Sequence, residues 1–318
     1  MQVISSSRAL QVPTAIALGN FDGVHRGHLR VIQPVLDAAA GIKTVVSFAP
    51  HPRAFFSGEH RLLLTPSEEK AAYLATLGIE QLVLLPFNQA LASLSPEQFV
   101  AQVLHELLQV KFLSVGKNFR FGHRRAGTAD CLKAIAEAHG IAVHITPLEV
   151  ADQERISSSA VRQALSKGDL EKANHLLGRP YCLSGKVVHG QHLGRTLGFP
   201  TANLEVPAGK FVPPEGVYAA QAHLQGEAAV GQDRPKAIAT VVNIGYRPTV
   251  QGRHRTIEAH LMGWSGDLYG QTLTLELHHY LRQEQSFEGL EALKAQIRRD
   301  CQQAQHRLLG NCSSYSQS

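Results

Sequence analysis

The 318 residues carry 31 Lys and Arg against 26 Asp and Glu, a net charge of +5, with 44% hydrophobic and 18% charged side chains. That balance excludes a disordered chain, and no run approaches the ~18 apolar residues of a membrane span, nor does Met1 to Arg8 have the layout of a signal peptide. Four scattered cysteines, Cys131, Cys182, Cys301 and Cys312, exclude a disulfide framework and a zinc ribbon, and with the missing leader they point to the cytoplasm.

The length predicts two domains. The positive balance permits nucleic-acid binding and equally suits small polyphosphate substrates, but basic residues are dispersed and a single Trp is present, so a stacking platform for single strands is poorly supported and no nucleic-acid partner is expected. Oligomeric state is not legible.

The first predicted strand, Ala15–Leu18, runs into Gly19-Asn20-Phe21-Asp22-Gly23-Val24-His25-Arg26-Gly27-His28. This reads as a strand-to-helix turn built for phosphate. Its glycines let backbone approach an anion, and the helix starting near His28 aims N–H groups and a positive dipole end at it. His25 and His28, at i and i+3, share one face of that first turn and can donate to a triphosphate. An ordinary βα turn with two solvated histidines is the plainer alternative.

Further near-continuous apolar runs follow at Thr44–Phe48, Gln81–Leu85, Phe112–Val115 and Ala142–Ile145, as expected of parallel strands covered on both faces. Thr65-Pro66-Ser67-Glu68 and Ser95-Pro96-Glu97-Gln98 read as helix starts, with Thr65 and Ser95 as N-caps, and Gly41, Gly78 and Gly140 as helix stops. The first domain is thus a doubly wound α/β fold, with its ligand site at the carboxyl ends of the strands. Phe48-Ala49-Pro50-His51-Pro52 and Val115-Gly116-Lys117-Asn118-Phe119-Arg120-Phe121-Gly122 lie on that rim. Arg155-Ile156-Ser157-Ser158-Ser159-Ala160-Val161-Arg162 puts hydroxyls at a helix start between two arginines, suited either to capping or to phosphate.

After helical stretches at Ser159–Lys167 and Leu170–Leu177, Gly178-Arg179-Pro180 breaks the pattern, placing a boundary between residues 1–179 and 180–318. Beyond it the apolar period becomes two, in Val217–Ala220, Ile257–Leu261 and Leu273–Leu277, which predicts a small antiparallel β-barrel closed by a helix over Ser286–Leu308. No GxxxxGK[ST] loop occurs, so phosphoryl transfer here needs another device. The candidate is Gly190-Gln191-His192-Leu193-Gly194-Arg195-Thr196-Leu197-Gly198-Phe199-Pro200-Thr201-Ala202-Asn203. Thr201 and Asn203, two apart in an extended segment, offer oxygen ligands on one side to a hard cation such as Mg2+; a capped loop-to-strand turn is the plainer reading.

Taken together, GNFDGVHRGH resembles the HxGH signature of the nucleotidyltransferases, in the form found in the adenylyltransferase half of bifunctional prokaryotic riboflavin kinase/FAD synthetases. GRTLGFPTAN resembles the riboflavin kinase signature. Further matching segments are Val242-Asn243-Ile244-Gly245-Tyr246-Arg247-Pro248-Thr249, Glu258-Ala259-His260-Leu261, Asp267-Leu268-Tyr269-Gly270 and Leu281-Arg282, so that the likeness spans about Gly19 to Asp300. It implies that riboflavin and ATP give FMN at the barrel, and FMN and ATP give FAD at the α/β domain, with Mg2+.

By the same resemblance His25 and His28 hold the ATP phosphates at the Gly19-Asn20-Phe21-Asp22-Gly23 loop. Asn118 and Arg155 contact nucleotide or leaving phosphate, and Ser158, Ser159 and Arg162 complete the cradle. In the barrel, Gly190, Gly194, Arg195 and Gly198 form the nucleotide loop and Thr201 and Asn203 hold the metal. Glu258 is the general base there, while Phe199 and Arg282 line the flavin site. Many members carry Asp where Asn118 stands and Thr where Ser159 stands. Other readings compatible with the residues are an HxGH transferase of pantetheine phosphate or glycerol phosphate, and a flavin-sensing or RNA-binding regulator that keeps the folds.

Overall fold

The computed structural model describes the chain except residues 6–11, 40, 148–149, 152–153, 191–196, 225–236, 250–251 and 311–318, and gives only the backbone of 150, 151, 154, 247–249, 252–254 and 310. It divides into two compact units, Met1–Ser158 and Ser159–Ser318.

The first unit runs β1 (Gln2–Ile4), β2 (Thr14–Leu18), α1 (Arg26–Leu36), β3 (Ile42–Ala49), α2 (Pro52–Ser57), α3 (Ser67–Thr76), β4 (Gln81–Pro86) and α4 (Gln89–Ser93). A short α5 (Pro96–Gln98) continues into a π-helical stretch (Phe99–Leu107). Then come β5 (Val110–Gly116), the β6 (Arg120–Phe121) and β7 (Gly127–Thr128) hairpin, α6 (Ala129–Ala138), β8 (Ala142–Thr146), β9 (Val150–Ala151) and β10 (Glu154–Arg155). Six strands form one parallel sheet in the order β1-β4-β3-β2-β5-β8.

The apolar runs of β2, β3, β4 and β5 are continuous because both faces of the sheet are covered there, whereas Ala142–Ile145, expected to be covered likewise, lies exposed or half-buried because β8 is an edge strand. Ile16, Leu18, Val46, Val83 and Leu85 pack in one cluster with Val100, Leu104 and Leu132. Their neighbours Ala15, Ala17, Val45, Leu82 and Leu84 pack in the other, with Ile32, Val35 and Leu74. The chain moves outward from β2 through β3 to β4, then returns to the other side of β2 as β5. The direction of winding therefore reverses at β2, and ligands of such sheets bind at the carboxyl ends of the strands flanking that point. Gly19 begins there.

Ser95 forms the predicted capping box, its hydroxyl accepting from Gln98 N while Gln98 Oε1 accepts from Ser95 N. Thr65 does not cap. The N-cap of α3 is Pro66, and the Thr65 hydroxyl accepts instead from Gly23 N, so a tertiary bond takes the oxygen that local pattern assigned to the helix. The pattern also missed β1, which is too short for a period to register.

The second unit contains α7 (Ser158–Ser166, shared with the first at its first residue), α8 (Leu170–Leu177), β11 (Tyr181–Val188), β12 (Ala202–Glu205), β13 (Gly216–Leu224), β14 (Ile238–Thr249), β15 (Gly252–Leu261), β16 (Thr272–Arg282) and α9 (Leu290–Gly310). The strands close a barrel in the order β11-β12-β15-β14-β13-β16, every pairing antiparallel. Alternation fills it: Leu183, Ala220, Ala222, Val242, Ile244, Ala259, Leu273, Leu275 and Leu277 are fully buried. On the other face Val217, Ala219 and Val241 pack with Ala304 and Leu308 of α9. The closing helix begins four residues later than the pattern suggested.

The contact division falls at Ser158/Ser159, whereas the texture change in the sequence lies near residue 180. The helices between pack with the barrel. Asn174 of α8 is buried, its Nδ2 donating to Leu277 O (2.9 Å) and its Oδ1 accepting from Tyr181 N (2.8 Å). Tyr181 and Leu277 are ladder partners, so this side chain extends the β11–β16 pairing by one rung.

Candidate active sites

The turn after β2 is strained and heavily held. Phe21 (φ 46°) and Val24 (φ 41°) adopt left-handed backbone, unusual for an aromatic and more so for a β-branched residue, at about 1–3 kcal/mol each. Both side chains are buried in the α1-side core, which offsets that strain. Polar groups fix the rest. Asp22, 2% exposed, accepts at Oδ1 from Leu64 N (2.8 Å) and Thr65 N (3.2 Å). Gly23 N donates to the Thr65 hydroxyl (2.9 Å). Ser158 Oγ donates to Asp22 O (2.8 Å), and Ser47 Oγ to Asn20 O (2.8 Å).

Asp22 and Ser158 thus shape the loop from within the fold.

His25 is the N-cap of α1, its Nδ1 accepting from His28 N (3.3 Å). The two imidazoles stack at 3.6 Å between centroids, 14° from parallel. An imidazole that accepts at Nδ1 carries its proton on Nε2, so this buried His25 is a donor at that nitrogen. Phe21 tilts against the His28 ring at 5.1 Å. Gly27 packs closely on this ring: a Cβ there would sit 3.3 Å from His25 Cε1 and Nδ1.

Asn118 lies exposed in the turn leaving β5, the strand beside β2, and Arg155 is exposed at the end of β10. Ser159 and Arg162 follow Ser158 along α7, within the second unit.

One feature of this rim escaped sequence reasoning. Phe48, Phe55, Phe56 and Phe87 form an edge-to-face cluster, with centroids 5.3–5.7 Å apart, just past the carboxyl ends of β3 and β4. Phe56 is 69% exposed. The signal was four of the chain's 12 Phe at two strand ends.

In the barrel, register builds a polar row. Glu258 on β15 stands opposite Asn203 on β12 and opposite Asn243 on β14. Directly opposed residues project to the same side of a sheet, so the three side chains share the face that Thr201, two residues before Asn203, also shares. Asn243 Nδ2 donates to Glu284 Oε1 (2.9 Å), a carboxylate beyond the end of β16 that the sequence did not flag.

Gly190 explains itself here. A Cβ on it would lie 2.1 Å from Asn203 Nδ2, so only glycine lets the loop pass over that amide. Gly198 turns with φ 86°, Phe199 meets the His260 ring edge-on at 5.5 Å, and His260 Nδ1 bonds Pro200 O (2.9 Å). Gly194 and Arg195 lie outside the described residues.

Arg282, expected at the flavin, makes bonds within the fold. Its Nε and Nη2 donate to the buried Asp300 carboxylate at 2.9 and 2.7 Å, and its Nη1 to Gln283 O. A planar fork on a buried carboxylate fastens α9 to the end of β16.

Comparison with known proteins matches each half of the chain to its own family. The FAD synthetase family profile matches residues 7–160 and the riboflavin kinase profile residues 177–308. The bifunctional riboflavin kinase/FMN adenylyltransferase of Escherichia coli (strain K12) is 40% identical over 299 residues, 92% of each chain. That of Bacillus subtilis (strain 168) is 37% identical over 302 residues, again 92% of each. A crystal structure of a Streptococcus pneumoniae protein described as a macrolide-efflux protein superposes with a TM-score of 0.84 at 26% identity, covering 96% of this chain and 99% of that one. Among the described residues no helix is long and apolar enough to cross a membrane. The chain belongs to the bifunctional riboflavin kinase/FMN adenylyltransferase family.

Proposed function

We infer that the chain phosphorylates riboflavin to FMN at the Asn203–Glu258–Asn243 row and adenylylates FMN to FAD at the loop after β2. The observation that carries the second assignment is the clamped, strained turn at the switch point of the sheet, ending in two stacked histidines at a helix start. That arrangement presents preorganised donors where a triphosphate's charge grows during transfer. In this reading a phosphate oxygen of FMN attacks the α-phosphorus of ATP and pyrophosphate leaves, with His25 and His28 on the phosphates and Asn118 and Arg155 at their flank. The Phe48, Phe55, Phe56 and Phe87 cluster supplies an aromatic platform for the flavin ring, which gives an exposed Phe56 a use.

In the barrel Glu258 takes the proton of the ribityl hydroxyl as that oxygen forms its bond to the γ-phosphorus, with ADP leaving. The Thr201 hydroxyl and Asn203 amide oxygen fit a hard cation, and Mg2+ carried with ATP would neutralise phosphate charge there. Gly190 and Gly198 serve the nucleotide there, and the resemblance gives Gly194 and Arg195 the same role. Incubation with riboflavin, ATP and Mg2+ should give FMN first and FAD with pyrophosphate second, followed by chromatography. A folded protein producing neither overturns the reading.

We further propose that the kinase is separable at the contact division rather than at residue 180. A fragment of residues 159–318 is expected to fold and phosphorylate riboflavin without making FAD. One of residues 180–318 loses Asn174 and leaves Tyr181 N and Leu277 O without its bridge, at about 1–3 kcal/mol for a buried unsatisfied group. Its thermal midpoint should fall below that of the longer fragment, and equal midpoints by circular dichroism would restore the later boundary.

A further inference from the structure

We propose that Lys70 is a positioning residue for adenylyl transfer, holding the Asn20 carbonyl from inside the fold so that the phosphate loop faces outward. The proposal rests on the reading of the Gly19–His28 loop as the ATP phosphate site. Lys70 sits on α3, in a Ser-Glu-Glu-Lys run that resembles an ordinary charged helix start, yet it is only 6% exposed. Its ammonium donates to Asn20 O (3.0 Å) and to Ser47 Oγ (3.2 Å), and Ser47 Oγ donates to the same carbonyl (2.8 Å). Two donors therefore converge on one peptide oxygen of a strained turn.

The geometry gives those bonds a consequence. In a trans peptide the carbonyl and the following N–H point in opposite directions. Drawing Asn20 O inward turns the Phe21 N–H away from Lys70, in the turn where Phe21 has φ 46°. Lysine is rarely buried without a strong reason, because its charge is desolvated. Here the atoms it bonds are neutral oxygens, from the loop and from β3. The charge that faces it is Asp22, whose Oδ1 already accepts from Leu64 N and Thr65 N. Burial accordingly pushes the ammonium down to about 8 from 10.5, with Asp22 drawing it partly back. A neutral amine would keep the space filled but lose the charge assistance of both bonds.

A phosphate-loop function thus makes a titration visible. In the free enzyme Lys70 loses its proton as pH rises through about 8, so kcat/KM for ATP in adenylylation should fall over that range. Bound triphosphate favours the charged form, so the corresponding fall in kcat should lie at higher pH. A side chain that merely filled space would impose no such split.

The test uses the full chain and measures FAD formation from FMN and ATP between about pH 6.5 and pH 9.5, with the circular-dichroism spectrum and thermal midpoint of each variant as the control for folding. Lys70→Met should lower kcat/KM for ATP at pH 7 by about tenfold or more, the scale of a charge-assisted hydrogen bond, and abolish the limb near pH 8. Lys70→Arg, charged throughout, should recover part of the activity and also lack that limb. Ser47→Ala, which removes the second donor to the same carbonyl, should lower kcat/KM less and keep the limb. A flat wild-type kcat/KM profile across that range overturns the proposal without any variant. So does a Lys70→Met enzyme that retains the limb, or one with wild-type kcat/KM. His28→Ala separates the two readings: if it adenylylates FMN normally, the site itself is misassigned, whereas a disabled His28→Ala beside a normal Lys70→Met condemns only Lys70.

Discussion

His28→Ala is expected to slow FAD formation from FMN and ATP by about a hundredfold or more, the scale set by loss of one preorganised donor to a developing charge. The structure sharpens why His28 in particular is decisive. His25 is built into the helix cap through Nδ1 and stacks on the His28 ring, so removing His28 takes away one donor and the surface that orients the other. Phe21, which also rests on that ring, loses a contact. Kinase activity should remain at the wild-type level, since the polar row of the barrel contains no group from this loop. The measurement is single-turnover FAD formation alongside FMN formation in the same preparation. Equal loss of both reactions in a folded protein would mean that one site serves both.

Glu258→Gln should lower the kinase kcat strongly while leaving the riboflavin KM nearly unchanged. The substitution keeps shape and one acceptor oxygen but removes basicity, so it strikes an interaction made mainly in the transition state. Register gives the side chain Asn203 on one flank and Asn243 on the other, neutral amides that can fix its orientation without taking a proton. FMN adenylylation should be close to wild type. Normal riboflavin phosphorylation by Glu258→Gln would remove the base assignment, and Glu284, which already holds Asn243, would be the next carboxylate to replace.

What the sequence showed was whatever depends on period or on a contiguous run. The parallel strands were legible because full burial leaves uninterrupted apolar residues, and the barrel because one-sided burial leaves alternation. The phosphate turn was legible because its glycines, histidines and helix start are adjacent. Asp22 was not, because its partners, Leu64 and Thr65, are more than forty residues away and nothing local marks the carboxylate as turned inward. Lys70 was hidden by the same remoteness behind a charged helix start. The partner of Arg282, Asp300, was hidden too, because only the packing of α9 brings the two together. Phe56 was not singled out, because sequence does not give its exposure.

The barrel closes by pairing β11 with β16, Tyr181 opposite Leu277. Contacts between such distant positions carry a loop-closure entropy that must be met before they stabilise anything, which slows folding relative to local pairings. During synthesis β11 must wait, its β16-facing edge unpaired, until nearly a hundred further residues have emerged. The six strands of the first sheet are all present once Thr146 is out. A ribosome halted shortly after the first unit should therefore already carry a protease-resistant α/β body, while one halted before β16 exposes the nascent barrel to strand-to-strand association.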